Sequence, residues 1–172
     1  MSQEDATLRL ARQIDAASKN ERFSVDAAAV GSLRRRGAAE LYRICAEFVS
    51  SVNSKLSEAG INLSPAGYSP EMFRESGVNI IQISSQGRQV QITFAAGAKL
   101  LSTEKFRMPY VLDGEVRAYN QKMLERFEIL SLSLFYCVGE DTADWRFYDW
   151  RTLRTGLVNH EFLISLMEPL FS

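Results

Sequence analysis

Histidine is nearly missing from this 172-residue chain, with His160 the only one. Neither a paired-histidine metal site nor a two-histidine acid–base mechanism can therefore be built within one chain. His160-Glu161 opens like the zinc-binding HExxH pattern, but position 164 is Ile and the second ligand is absent. No GxSxG elbow supplies a serine for His160 to activate, and no GxGxxG loop is present. Gly97-Ala98-Lys99-Leu100 lacks both the earlier glycine and the following Ser or Thr of a phosphate-binding loop. No catalytic residue, metal or cofactor can be named from these residues, and a non-enzymatic protein is the first reading.

Cysteine is scarce too. Cys45 and Cys137 lie far apart and form no CxxC, so two free, buried thiols in a reducing compartment are expected. The longest strong apolar run, 129–138, is broken by Ser131 and Ser133, short of the roughly 18 residues of a membrane span. Met-Ser-Gln-Glu-Asp-Ala at the start has no signal-peptide pattern. Net charge is −1: residues 1–60 carry nine basic and eight acidic side chains, and 61–172 carry eleven and thirteen. That balance argues against nucleic acid as a partner. A cytoplasmic, soluble protein with no membrane partner is the expectation.

What is present describes one α+β domain at 32–172, preceded by an N-terminal helix and joint at 1–31. Residues 4–18 read as a short helix with a thin stripe, Leu8, Ala11 and Ile14, followed by a polar joint, Lys19–Arg22. The strongest helix is expected from Ser32, an N-cap, to Ala59, before Gly60. Ala38, Leu41, Cys45, Phe48, Val52 and Leu56 give it one apolar stripe. Arg34, Arg35 and Arg36 would then crowd its positive end; a solvated first turn is the first reading, and an acidic neighbour or anionic partner the second.

Ser69-Pro70 predicts a single helical turn over 70–75. Val78–Ser85 and Gln89–Ala96 alternate around Gln86-Gly87-Arg88 and predict a hairpin. From Lys105, the even positions Phe106, Met108, Tyr110, Leu112, Gly114, Val116 and Ala118 are apolar or small. They predict one long strand bent at Gly114. Residues 115–126 fit both strand and helix, with a helical turn expected near 120–126. Phe127–Val138 and Ala143–Arg151 are strands around Gly139–Thr142, and a largely buried helix starts near the N-cap Asn159. The architecture is a long helix, an antiparallel sheet of about five strands and a closing helix. With a helix in 115–126, the order becomes helix, three strands, helix, two strands, helix. That order is similar to the small dimeric chaperones that hold secretion substrates.

The most informative stretch is Asp144-Trp145-Arg146-Phe147-Tyr148-Asp149-Trp150-Arg151, which holds both tryptophans, has aromatics at both parities and reads as a packing or contact centre. A four-residue turn sets Tyr136 opposite Trp145 and leaves Tyr148 and Trp150 beside serines; a five-residue turn exchanges the faces. In either case two large rings on the second face need a cover. The C-terminal helix is the first expectation, ahead of a second subunit or a ligand. Glu140, Asp141, Asp144 and Asp149 form a carboxylate cluster; a polar hairpin tip accounts for the first three and is the first reading, ahead of a two-metal or acid–base pair.

The leading expectation is a binding or adaptor domain that contacts a protein, or itself as a homodimer, through a sheet face or the long helix. The alternative is a small enzyme or pocket protein. It would take a phosphate or carboxylate ligand through Arg146, Arg151 and Arg154, with Tyr148 and Trp150 completing the site.

Overall fold

Alternation of apolar side chains between Asn79 and Asp149 produces one antiparallel sheet, and two helices close its inner face. The computed structural model describes residues 3–23, 27–97, 109–139 and 141–172. After Ser32 the chain divides into two compact units. In the first, α1 (Gln3–Phe23) is one continuous helix that includes the residues expected as a polar joint. Its described side chains, 3–17, are all exposed, Leu8, Leu10 and Ile14 among them.

α2 (Ala27–Asn53) begins in that unit and runs through the second. It starts before the expected cap, because Ala27-Ala28-Ala29 are strong helix formers and carry the helix past Ser32. It also stops early. The Asn53 side chain accepts the Ile61 N–H at 2.8 Å and donates to the Ile61 carbonyl at 2.9 Å, turning the chain back before Leu56. The buried stripe is thus Ala38, Leu41, Cys45, Phe48 and Val49. Arg34 lies well inside the helix and is an internal strut. It donates to the carbonyls of Val111 (3.1 Å) and Gly97 (2.8 Å) and pairs with Glu75.

The sheet has seven strands, not about five: β1 (Asn62–Ser64), β2 (Asn79–Ser85), β3 (Arg88–Ala96), β4 (Tyr110–Tyr119), β5 (Leu130–Val138), β6 (Ala143–Asp149) and β7 (Arg154–Leu157). Their spatial order is their order in the chain, and every pair is antiparallel. The two added strands are the edges, too short to impose a readable period. A 3-10 turn at Pro70–Met72 follows Ser69, as expected.

The β2–β3 turn is the two residues Gln86 (φ 48°) and Gly87 (φ 78°), tighter than expected. Both lie in the left-handed region that a type I′ hairpin requires, and Gly87 adopts it without strain. The expected start of β4 at Lys105, with Phe106 and Met108, lies outside the described residues. Its irregularity falls between Tyr110 and Leu112, not at Gly114, so Val111 and Leu112 are both buried. Gly114 serves close approach instead: a Cβ there would lie 2.2 Å from the Thr93 carbonyl oxygen. α3 (Gln121–Glu125) realises the helical reading, with Asn120 accepting the Met123 N–H at 2.9 Å.

On the inner face, the four-residue turn sets Tyr136 opposite Trp145 and Leu134 opposite Phe147. Trp145 is 1% exposed, 5.4 Å from the Tyr136 ring and 5.6 Å from Phe94. Its indole N–H donates to the Gly37 carbonyl of α2 at 2.7 Å. Gly37 has no Cβ because the Tyr136 ring occupies that space, 2.5 Å from where it would be. α4 (His160–Met167) is capped by Asn159 and stacks Phe162 on Phe147 at 4.5 Å. The C-terminal helix therefore covers the Trp145–Phe147 face and not the second face, because its buried stripe, Phe162, Leu163, Leu166 and Met167, meets the large inner rings. No described helix is long and apolar enough to cross a membrane.

Candidate functional site at the outer sheet face

Alternation that buries Trp145 and Phe147 inward sends Arg146 and Tyr148 outward, beside Phe135 and Ser133 of β5. There Phe135, Cys137 and Tyr148 form a buried cluster with Tyr110 packed against it. The Tyr110 and Phe135 rings are 4.8 Å apart. Trp150, just past the end of β6, stands edge-on to Tyr148 at 4.6 Å and donates its indole N–H to the Ser133 hydroxyl. Trp150 is 45% exposed, the reverse of Trp145. Ser133 is small, which leaves room for the indole and holds it by its polar edge.

Charge surrounds these rings in bonded pairs. Arg146 donates to Asp144 at 3.0 Å, Arg117 lies 3.2 Å from Glu115, and the Ser131 hydroxyl bonds Glu115. Burial pushes the Asp113 carboxyl upward, and burial together with nearby Asp113 raises Tyr110.

The three arginines expected to bind an anion take separate positions. Arg146 projects outward with Asp144. Arg151 sits in the β6–β7 loop, exposed, where its backbone N–H donates to Asp149 at 2.9 Å. That bond, first among several, holds the Asp149 carboxyl below its ordinary range. Arg154 pairs in register with Asp149, at the parity of Phe147 and hence opposite to Arg146. Arg154 opens the edge strand β7. Tyr148 and Trp150 are brought together; the three guanidiniums are not.

His160 is exposed at the first position of α4, its ring edge-on to Phe48 at 5.1 Å. Glu140 lies outside the described residues, Asp141 is exposed, and Asp144 is paired. Among the described residues, no group of three His, Cys, Asp or Glu side chains is placed to hold a metal ion.

Burial pushes both thiols up to about 12, helped at Cys137 by Asp144. A thiol held that high stays protonated at neutral pH and is a poor nucleophile. Neither thiol is therefore expected to react with a chromogenic disulfide reagent at pH 8 in the native protein. Both should react at once in denaturant; rapid native labelling of either would contradict its placement. Comparison with known protein families, with curated proteins and with solved structures finds no match to this chain.

Proposed function

We propose that this chain is a non-catalytic binding or adaptor domain that contacts a protein partner, a second copy included, through the β5–β6 end of its outer sheet face. The observation that supports this most directly is the state of Trp150. It is a large ring left half in solvent, yet fixed by an edge contact to Tyr148 and a hydrogen bond to Ser133. Aromatics that are pre-ordered and partly exposed lose little rotamer freedom on binding and commonly dominate contact energy. Bonded charge pairs at Asp144–Arg146 and Glu115–Arg117 give the surrounding surface a polar character suited to a rim. A cytoplasmic setting fits the two unpaired thiols.

The test is site-specific crosslinking. A photoreactive phenylalanine in place of Trp150 should trap one defined protein species in the native host. The same group in place of exposed Lys55 should not. Equal, diffuse labelling from both positions would remove the proposal.

A further inference from the structure

In a meander of antiparallel strands, the connections after β4 and after β6 leave the same end of the sheet. Each holds a large apolar residue in the left-handed region: Phe127 with φ 55° and 93% exposure, and Leu153 with φ 59° and 64% exposure. A Cβ there costs about 1 kcal/mol, and a side chain in solvent offsets none of it by burial. Trp150, half exposed, opens the second connection. Large apolar side chains held outward on strained backbone mark this end as a contact surface.

Charge specifies the chemistry of what it meets. Around Phe127, Lys122 and Arg126 are balanced by Glu125 and Glu128. Around Trp150 the acids are already engaged. The Asp149 carboxylate accepts the Arg151 N–H at 2.9 Å and is bonded by Thr152 as well. Glu115 is held by Arg117 and Ser131, and Asp144 by Arg146. Arg151 and Arg154 are exposed, and neither guanidinium is in an ion pair among the described residues. The charge left over beside Trp150 and Leu153 is therefore positive, in a chain whose net charge is −1.

We infer that the partner presents a short acidic segment built around an aromatic or aliphatic residue. This rests on the protein contact proposed above and names its chemistry. The apolar residue packs on Trp150 and Leu153, while flanking carboxylates meet Arg151 and Arg154. A guanidinium takes a carboxylate through two parallel hydrogen bonds, and Trp with Arg commonly dominates contact energy. Two cations are fewer than the roughly four to eight that an anionic bilayer selects, and they form no stripe along which a nucleic-acid backbone could lie.

Selection of random displayed peptides on the whole chain tests this. Recovered sequences should be rich in Asp and Glu beside Trp, Phe or Leu. A labelled synthetic peptide of their consensus should bind about tenfold less tightly to Arg151→Glu/Arg154→Glu protein, measured by fluorescence anisotropy. Replacing its acids with Lys should reverse that preference. Both arginines are exposed, so the variant should melt like wild type. No recovered consensus, a consensus without excess acid, or equal affinity for the variant would overturn the inference. In the last two cases, Trp150→Ser with Leu153→Gly separates the causes. Weaker binding leaves the contact surface standing with a different partner, and unchanged binding removes the surface too. Wild type that pellets with vesicles of phosphatidylserine and phosphatidylcholine, or forms a dimer that Arg151→Glu dissociates, would put a bilayer or a second copy in the peptide's place and equally overturn it.

Discussion

Trp145→Ala is expected to lower unfolding free energy by about 4 kcal/mol, read from the urea midpoint at unchanged slope. The indole is 1% exposed and touches Tyr136 and Phe94, so its removal leaves a cavity walled by large rings that cannot all collapse into it. The loss also cuts the bond to Gly37, which joins the sheet to α2. Trp145→Phe separates the two contributions. It keeps most of the ring volume and loses the N–H, so about 1–2 kcal/mol is expected. Trp150→Phe, at a half-exposed ring, should change stability by well under the Trp145→Ala value. Comparable losses at both tryptophans would contradict the assignment of Trp145 to the core and Trp150 to the surface.

Gly114→Ala should destabilise by about 3 kcal/mol, near the upper end of ordinary overpacking. The new methyl would lie 2.2 Å from the Thr93 carbonyl oxygen and 3.0 Å from the Phe94 Cα. Two of the three nearest atoms are backbone, so no rotamer change relieves the clash; β3 and β4 must part in mid-sheet. Gly87→Ala is the contrast. Nothing lies within 4 Å of its added carbon, and the only cost is a positive φ of 78°, about 1 kcal/mol. Chemical denaturation of the pair decides between them: a Gly114→Ala loss no larger than that of Gly87→Ala would mean the strands separate cheaply.

The α+β class was legible because period-two and period-three-or-four stripes are long in this chain; the β5–β6 register was not, because four- and five-residue turns fit the same residues. Edge strands of three and four residues carry no such period, so neither β1 nor β7 is legible in the residues alone. Ser32 reads as a cap and puts Arg34 at a helix start, but the alanines before it extend the helix; Arg34 meets an acidic neighbour, Glu75, and also the carbonyls of Gly97 and Val111. The candidate site was half readable. Tyr148 and Trp150 share a face in either register, but Ser133 joins them only with the four-residue turn, and Arg146 and Arg154 differ in parity once β7 folds back on β6. Phe127 could be read only as the start of a strand, since neither its backbone angle nor its exposure leaves a trace in residue type.

The meander has a consequence for the order in which the chain acquires structure. Every described strand pairs with its sequence neighbour, and three of the connections are short: two residues at Gln86-Gly87 and four each at Gly139–Thr142 and 150–153. Such closures cost little loop entropy and form on the microsecond scale of hairpins. α2 is different: its Gly37 meets Trp145 across 108 positions of sequence, and the surface it docks on includes β5 and β6. A helix near the beginning of the chain must therefore wait for strands near the end. During synthesis the Gly37 end of α2 meets its Trp145 partner only once residue 145 has emerged, and that docking step is expected to set the folding rate.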